Sequence, residues 1–384
     1  MVINHSVRVA IVAGEMSGDL LGGALMRELK KHLSHVQFIG IGGSQMLHEG
    51  LDSCVEIERM SVMGVSDVLK RYPELYRIRQ KLFNEWTDNP PDVFIGIDYS
   101  KFNLSLALRL KKKGIKTVQF VSPKIWAWRQ KRVFYIKKAI DLILTLFPFE
   151  EAFYQHYDVP VQFVGHPLAD LIDLNVDTHQ MKKKSGYKAD DKVVAVLPGS
   201  RISEMKYMGP LFLDVMYEIS LSEPQVHFIV PIAKPSMRQI FETQLQTKAY
   251  NLNLQITDGR AREAMGGADV VLAKSGTSTL EAMLLKRPMV VAFKWGALTH
   301  AIIAPQVKVP FISLPNLLAS QELVPEFVQS KALPKPIAQA VLEFLHSPNV
   351  HLKPKFLDIH QRLKQDASAK AAAAILKILN RSAV

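Results

Sequence analysis

The chain is 384 residues long, with 48% hydrophobic and 22% charged residues, an ordinary globular balance that supports two or three domains and excludes wholesale disorder. Its single cysteine, Cys54, excludes an internal disulfide framework and any cysteine-based zinc cluster. No apolar run approaches the roughly 18 residues that span a bilayer. The first apolar stretch, around Val9 to Ala13, meets Glu15 too soon to be a signal-peptide core, so a soluble cytoplasmic chain with reduced thiols is expected.

The charge is localised. Lysine and arginine number 48 against 36 acidic residues, a formal net charge of +12. The segment from Lys70 to Lys138 holds 17 basic and five acidic residues, so it accounts for the whole surplus. Such a patch draws polyanions: nucleic acid, anionic lipid headgroups or phosphorylated substrates. A plain solvated surface is the alternative. Tyr72, Leu75, Tyr76, Ile78, Leu82 and Phe83 interleave with the cations, as on a basic amphipathic helix at a membrane surface. A nucleic-acid reader would carry base-reading Asn and Gln on a basic recognition helix, and that pattern is missing, so no nucleic-acid partner is expected.

Taken in chain order, short β-branched runs alternate with helical patterns. Val7–Ala13 leads into GEMSGD and the helical LLGGALMRELKKHL, and Gln37–Ile41 leads into GGSQM. Val93–Ile97 ends at Asp98, Thr117–Val121 follows, and Leu142–Leu146 and Val161–Val164 close the first half. The pattern restarts after a lysine-rich stretch, with Val193–Leu197, Val226–Val230, Leu254–Ile256, Val270–Leu272 and Met289–Phe293. Continuous apolar runs separated by helices predict parallel sheets covered on both faces. The expected architecture is α/β: two Rossmann-like doubly wound domains facing a cleft. Residues 1–170 are expected to form the first and residues 171–350 the second. A helical tail, 351–384, is expected to pack back on the first domain.

In open α/β sheets, ligands bind at the carboxyl ends of the strands. GEMSGD lacks a dinucleotide fingerprint, and Glu15 would repel a pyrophosphate there; it suits sugar hydroxyls or an amine. Ser17 or Asp19 can cap the following helix. Asp98, at the end of a strand, is placed as a general base, with an N-cap role as the alternative. Trp126 and Trp128 beside Arg129, Lys131 and Arg132 suit a sugar with a nearby phosphate, or are core. The PGSR turn offers backbone N–H groups, Ser200 and Arg201 to a phosphate. AKSGTSTLEAML places Ser275, Gly276 and Thr277 at a helix N-terminus that favours a diphosphate, with Glu281 able to grip a ribose diol. His166 in GHP has no Cys or His partner; a hinge or substrate contact and a buried structural role both remain open. No P-loop or HExxH motif occurs, and neither a metal nor a cofactor is expected.

These motifs together resemble the lipid-A-disaccharide synthases, glycosyltransferases of the GT-B type. GEMSGD, VMGVSDVL, GIDYSKFN, VSPKIWAWRQKR, LFPFE, VGHPLAD, LPGSRISE, SGTSTLEAML and SLPNLLASQELVPE stand in family order from about Val7 to Val328. The resemblance implies metal-independent, inverting transfer of 2,3-diacylglucosamine from UDP to 2,3-diacylglucosamine 1-phosphate. The product is the β-1′,6-linked disaccharide phosphate of lipid A and lipopolysaccharide biosynthesis, with UDP released. It makes Asp98 the first choice of base and Glu15 the second, and it brings Asn316 to the donor. It also implies a cytoplasmic enzyme, peripheral on the anionic inner membrane of a Gram-negative cell. A homodimer stays open. Ser44, Ser100, Lys101, Lys274, Ser320 and Gln321 depart from the family pattern, as in a duplicated copy with shifted specificity. The alternative is another cell-envelope GT-B transferase with a lipid-linked acceptor.

Overall fold

A computed structural model of the chain describes residues 6–60, 65–296, 304–347 and 351–380, the side chains of 65–70 excepted. The first three residues of the VMGVSDVL motif, and the side chains of its other five and of Lys70, therefore lie outside the described residues. The chain divides into two compact units, Met1–Asp170 with Leu363–Val384, and Leu171–Arg362.

The first unit holds a seven-stranded sheet. In chain order its elements are β1 (Val7–Ala13), α1 (Met16–Lys30), β2 (Val36–Ile41), α2 (Ser44–His48), β3 (Leu51–Ser53) and α3 (Val65–Asp88). There follow β4 (Val93–Ile97), α4 (Ser100–Lys111), β5 (Lys116–Phe120), α5 (Val133–Ala139), β6 (Leu142–Thr145), α6 (Pro148–His156) and β7 (Val161–Phe163), then the short α7 (Pro167–Leu171). The strand order is β3-β2-β1-β4-β5-β6-β7, with every pairing parallel. Alternate strand residues feed two cores. Leu25, Met26 and Leu29 of α1 cover one face with Ala371, Ala372 and Ile375 of the helix Ala367–Asn380. Trp86, Leu82, Phe102, Leu106, Leu110, Ile136 and Tyr154 cover the other. Burying each such large side chain contributes about 1.5–3 kcal/mol.

The second unit repeats the plan with six strands. Its elements are α8 (Thr178–Lys184), β8 (Val193–Leu197), α9 (Ile202–Ser222), β9 (His227–Ile232), α10 (Pro235–Lys248), β10 (Leu254–Asp258), α11 (Ala261–Gly267), β11 (Val270–Lys274), α12 (Thr277–Leu284) and β12 (Met289–Phe293). The strand β13 (Glu326–Val328) completes the sheet, in the order β10-β9-β8-β11-β12-β13.

The order reverses between β1 and β4 in the first sheet and between β8 and β11 in the second. At such a switch point the flanking helices run to opposite faces and leave a crevice at the strand ends. The crevice of the first unit is bordered by the loops that carry Glu15 and Asp98. That of the second is bordered by PGSR and KSGT.

Two expectations need correction. The tail expected as one body from residue 351 divides: Leu352–Leu363 ends at the unit boundary, and Asp366 takes φ 55 before the last helix begins. The Asp170 carboxylate accepts from the Asp366 and Ala367 N–H groups at 2.9 and 2.7 Å, which caps that helix inside the first unit. The basic segment is also not one face. Lys101, Lys124 and Arg129 lie toward the carboxyl ends of the strands, whereas Lys111–Lys113 and Lys116 lie at the opposite end, where Lys111 pairs with Asp141 at 2.9 Å.

Candidate functional site

In the first unit, Ala13 pairs with Ile97, so the loops after β1 and β4 emerge side by side. Glu15 is the N-cap residue of α1 but makes no side-chain cap bond, and its side chain is exposed. Ser17 is exposed in the first helical turn. Neither Ser17 nor Asp19 caps α1. Asp19 is fully buried and accepts from the N–H groups of Gly43, Gln45 and Met46 at 2.8, 3.0 and 3.0 Å. It thereby caps α2 from outside, where Ser44 is the first residue.

Asp98 and Tyr99 both adopt left-handed backbone, at φ 47 and 37. Aspartate tolerates this region; an aromatic residue does so only when its surroundings over-determine it. The surroundings do. The Asp98 N–H donates to Phe120 O at 2.8 Å, and its carbonyl accepts from Asn103 Nδ2 at 3.1 Å and Gln119 Nε2 at 2.9 Å. The Tyr99 hydroxyl donates to Met60 O at 2.8 Å. Its ring lies against Gly14, where an added Cβ would stand 2.4 Å from the ring; only glycine admits the tyrosine there.

The N-cap position of α4 is Tyr99, with no side-chain cap bond, so the capping alternative for Asp98 fails. Asp98 is exposed to solvent, with the protein packed close enough around it to remove part of its hydration. That burial raises its carboxyl above the ordinary value, against the Tyr99 N–H and the Lys124 charge, which lower it. A carboxylate that is desolvated, accessible and not consumed by capping is what a general base requires.

The aromatic loop beyond β5 divides in function. Trp126 is core: its indole N–H donates to buried Glu150 at 3.0 Å, and its ring packs edge-on against Phe149. Glu150 also accepts from the Leu146 and Phe147 N–H groups; burial, the dominant influence, pushes its carboxyl up to about 7. Trp128 is half-buried under the Arg129 guanidinium, 4.4 Å from the ring centre. His166 is structural. Its Nδ1 accepts from Leu168 N–H, its backbone N–H donates to Leu363 O, and burial lowers its pKa to about 4.

In the second unit, PGSR turns sharply out of β8 and into α9. Gly199 has φ 127, and an added Cβ would stand 2.7 Å from the Glu204 carboxylate. Ser200 is exposed, and the Arg201 side chain is 77% exposed, open to an anion. Across the switch point, Ser275 donates to Ile312 O at 2.6 Å, which ties its hydroxyl to the neighbouring loop. Gly276 is the N-cap residue of α12 and Thr277 its first residue, exposed. The first-turn N–H groups of this helix and its dipole favour a negative ligand. Glu281 lies further along α12, 3.2 Å from the Arg262 guanidinium.

Asn316 does not face a ligand. It is fully buried; its Nδ2 donates to Val324 O and Glu326, each at 2.8 Å, and its Oδ1 accepts from the Leu323 and Val324 N–H groups. All four hydrogen-bonding positions of the amide are used. Asn316 instead fixes the PNLL loop, and Ser320 closes that loop's helix in left-handed conformation at φ 53. Tyr99, Glu204 and Arg262 also border these loops; Tyr99 and Glu204 lie inside quoted motifs, but their contacts with Met60 and Lys274, and that of Arg262 with Glu281, join residues far apart in the chain and carry no local signal. Among the described residues no group of three or more His, Cys, Asp and Glu side chains is arranged to hold a metal ion.

Comparison with known proteins bears on the family and the fold. The family model described as lipid-A-disaccharide synthetase matches residues 9–378. The chain is 61% identical to "Lipid-A-disaccharide synthase 2" of Legionella pneumophila (strain Lens) over 383 residues, the full length of both. It is 47% identical to lipid-A-disaccharide synthase of Pseudomonas paraeruginosa over 98% of this chain and 99% of that one. Among solved structures, UDP-GlcNAc 2-epimerase from Neisseria meningitidis bound to UDP-GlcNAc is similar with a TM-score of 0.66 at 14% identity, covering 97% of this chain and all of that one. The calicheamicin glycosyltransferase CalG4 is similar with a TM-score of 0.63 at 12% identity, over 99% and 100%. These two likenesses bear on the fold alone. The matched family model and the full-length relatives settle the lineage: the chain belongs to the lipid-A-disaccharide synthase family, and it is a glycosyltransferase of that family.

Proposed function

We propose that the protein transfers 2,3-diacylglucosamine from its UDP donor to the 6-hydroxyl of 2,3-diacylglucosamine 1-phosphate, making the β-1′,6-linked lipid A disaccharide 1-phosphate. The carboxylate of Asp98 takes the hydroxyl proton as that oxygen bonds to the anomeric carbon. The anomeric C–O bond to the β-phosphate breaks, and UDP leaves with the electron pair. Attack opposite the leaving group turns an α-linked donor into a β-linked product. Glu15, exposed on the adjacent loop, orients the acceptor hydroxyls and is the second choice of base. Ser17 lines the same loop. In the second unit the diphosphate lies against Ser200, Arg201 and the helix terminus at Ser275, Gly276 and Thr277. Glu281 holds the ribose diol while its other contact, Arg262, fixes its direction.

The observation that carries this reading is the placement of Asp98. It follows the central strand at the switch point, in left-handed backbone, exposed yet with its carboxyl raised by burial, and free of a capping role. The acyl chains of both substrates call for a membrane-facing surface. Exposed Tyr72, Tyr76, Arg77 and Lys81 on α3 support one. The test is incubation of the purified protein with UDP-2,3-diacylglucosamine and the acceptor phosphate. Equimolar UDP and disaccharide phosphate are expected; turnover only with another UDP-sugar or a polyprenyl-linked acceptor would refute it.

A further inference from the structure

The phosphate-facing loops of the second unit hold a carboxylate where cations are wanted. Glu204, in the first turn of α9, accepts from Lys274 Nζ at 2.9 Å and, through its other oxygen, from the Ser200 N–H at 3.0 Å. Arg201 Nη1 stands 3.3 Å from the oxygen that Lys274 binds. The Lys274 ammonium ends β11 and lies 3.8 Å from the point where a Gly276 side chain would begin, beside the N-terminus of α12. Both side chains are largely shielded, at 14% and 13% exposed, so screening by solvent is weak. Two cations and a backbone N–H converging on one planar oxyanion make an anion site. Here an internal carboxylate fills it.

We infer that Glu204 is a built-in substitute for the donor's diphosphate, which must take Lys274, Arg201 and the Ser200 N–H from it on binding. This rests on the UDP-donor reading above and adds to it the control of nucleotide affinity. Burial works against the Glu204 charge, and the Lys274 ammonium, the Ser200 N–H and Arg201 more than offset it, holding the carboxyl below its ordinary value. The carboxylate is therefore ionised whenever UDP arrives, and the two anions compete for the same donors. Competition lowers affinity for UDP and speeds its release after transfer. A ligand shifts such an equilibrium only by its differential interaction with the two states, so the effect belongs to the charged diphosphate and not to uridine.

The experiment is calorimetric titration of UDP and uridine into wild type, Glu204→Gln and Lys274→Met, with thermal melting of each. Glutamine keeps an acceptor for the Ser200 N–H and removes the competing charge. Glu204→Gln should tighten UDP about tenfold, the scale of one regained charge-assisted hydrogen bond, and leave uridine unchanged. Lys274→Met should weaken UDP by about the same factor, and the gain from Glu204→Gln should shrink in its background. If Glu204→Gln does not fold, Glu204→Asp withdraws the carboxylate by one methylene and should shift UDP in the same direction. Unchanged or weaker UDP binding in the Glu204 variant, or an equal shift for uridine, overturns the assignment and leaves Glu204 as a loop brace. Wild-type protein that binds no UDP overturns the donor reading as well.

Discussion

Asp98→Asn tests the mechanism most sharply, because the geometry isolates one function of that side chain. Asparagine matches aspartate in size and tolerates left-handed backbone, so φ 47 at this position is kept without added strain. The turn is locked chiefly through the Asp98 N–H and carbonyl, which survive, and the asparagine oxygen can still accept from the Tyr99 N–H. Stability should therefore change little. Alanine is the poorer probe, since it would meet the left-handed region at a cost of about 1–2 kcal/mol. Losing a general base lowers kcat by roughly 10²–10⁴, equivalent to about 3–5.5 kcal/mol of barrier. UDP affinity should hold, because the nucleotide is assigned to residues of the second unit. The pH profile supplies an independent readout. A base must be ionised to act, so turnover falls as pH drops through its pKa; burial raises that of Asp98, which puts the acidic limb above the ordinary aspartate range. The assay is UDP release with disaccharide formation from pH 4 to 9, with melting curves as the fold control. A folded Asp98→Asn protein with near wild-type kcat and an unmoved acidic limb would refute the assignment and transfer the role to Glu15.

Glu281→Ala should raise the UDP dissociation constant by one to two orders of magnitude, since a hydrogen bond to a charged group contributes about 1.5–3 kcal/mol; unchanged calorimetric affinity would remove it from the ribose. Activity should persist in EDTA, with Arg201, Lys274 and the α12 terminus stabilising the leaving diphosphate; loss restored by Mg²⁺ or Mn²⁺ would contradict this. Replacing exposed Arg71, Arg77 and Lys81 with glutamine should release the protein from anionic vesicles at low salt, at about 1 kcal/mol per charge, while short-chain soluble substrates still turn over. Undiminished binding in a co-sedimentation assay would move the membrane face elsewhere. Glu150 titrates near 7 in the fold against 4.5 in the unfolded chain, so its protonated form favours folding below about pH 4.5 and that advantage fades as pH rises through 7. The loss amounts to at most about 3 kcal/mol. Urea unfolding of Glu150→Gln should lack this slope between pH 5 and 8; parallel curves for variant and wild type would exclude it.

Much of the fold was legible because parallel strands buried on both faces leave continuous apolar runs. Val7–Ala13, Val93–Ile97, Val193–Leu197 and Met289–Phe293 were read with the bounds they have. Leu51–Ser53 and Glu326–Val328 were not: three residues at a sheet edge carry too few apolar positions to mark a period, and only their register against β2 and β12 makes them strands. The break at Asp366 has no local signal, because it rests on Asp170, a carboxylate roughly two hundred positions earlier in the chain.

The candidate site shows the same division between local and distant causes. Asp98 and Asn316 both follow apolar segments inside family motifs, and by motif alone each is a ligand contact. Their surroundings separate them. Asn316 has every donor and acceptor satisfied within its own loop, so exposing it to a donor would first break four hydrogen bonds. Asp98 has its backbone immobilised by Asn103 and Gln119 while its carboxylate still reaches solvent, an expenditure of buried amides on one exposed side chain. A motif records which residues belong together, and it does not say which face the ligand and which hold the others. Hydrogen-bond satisfaction does distinguish them: it places Asn316, Asp19 and Glu150 in the framework and leaves the carboxylates of Asp98 and Glu15 open to solvent, where the proposed chemistry needs them.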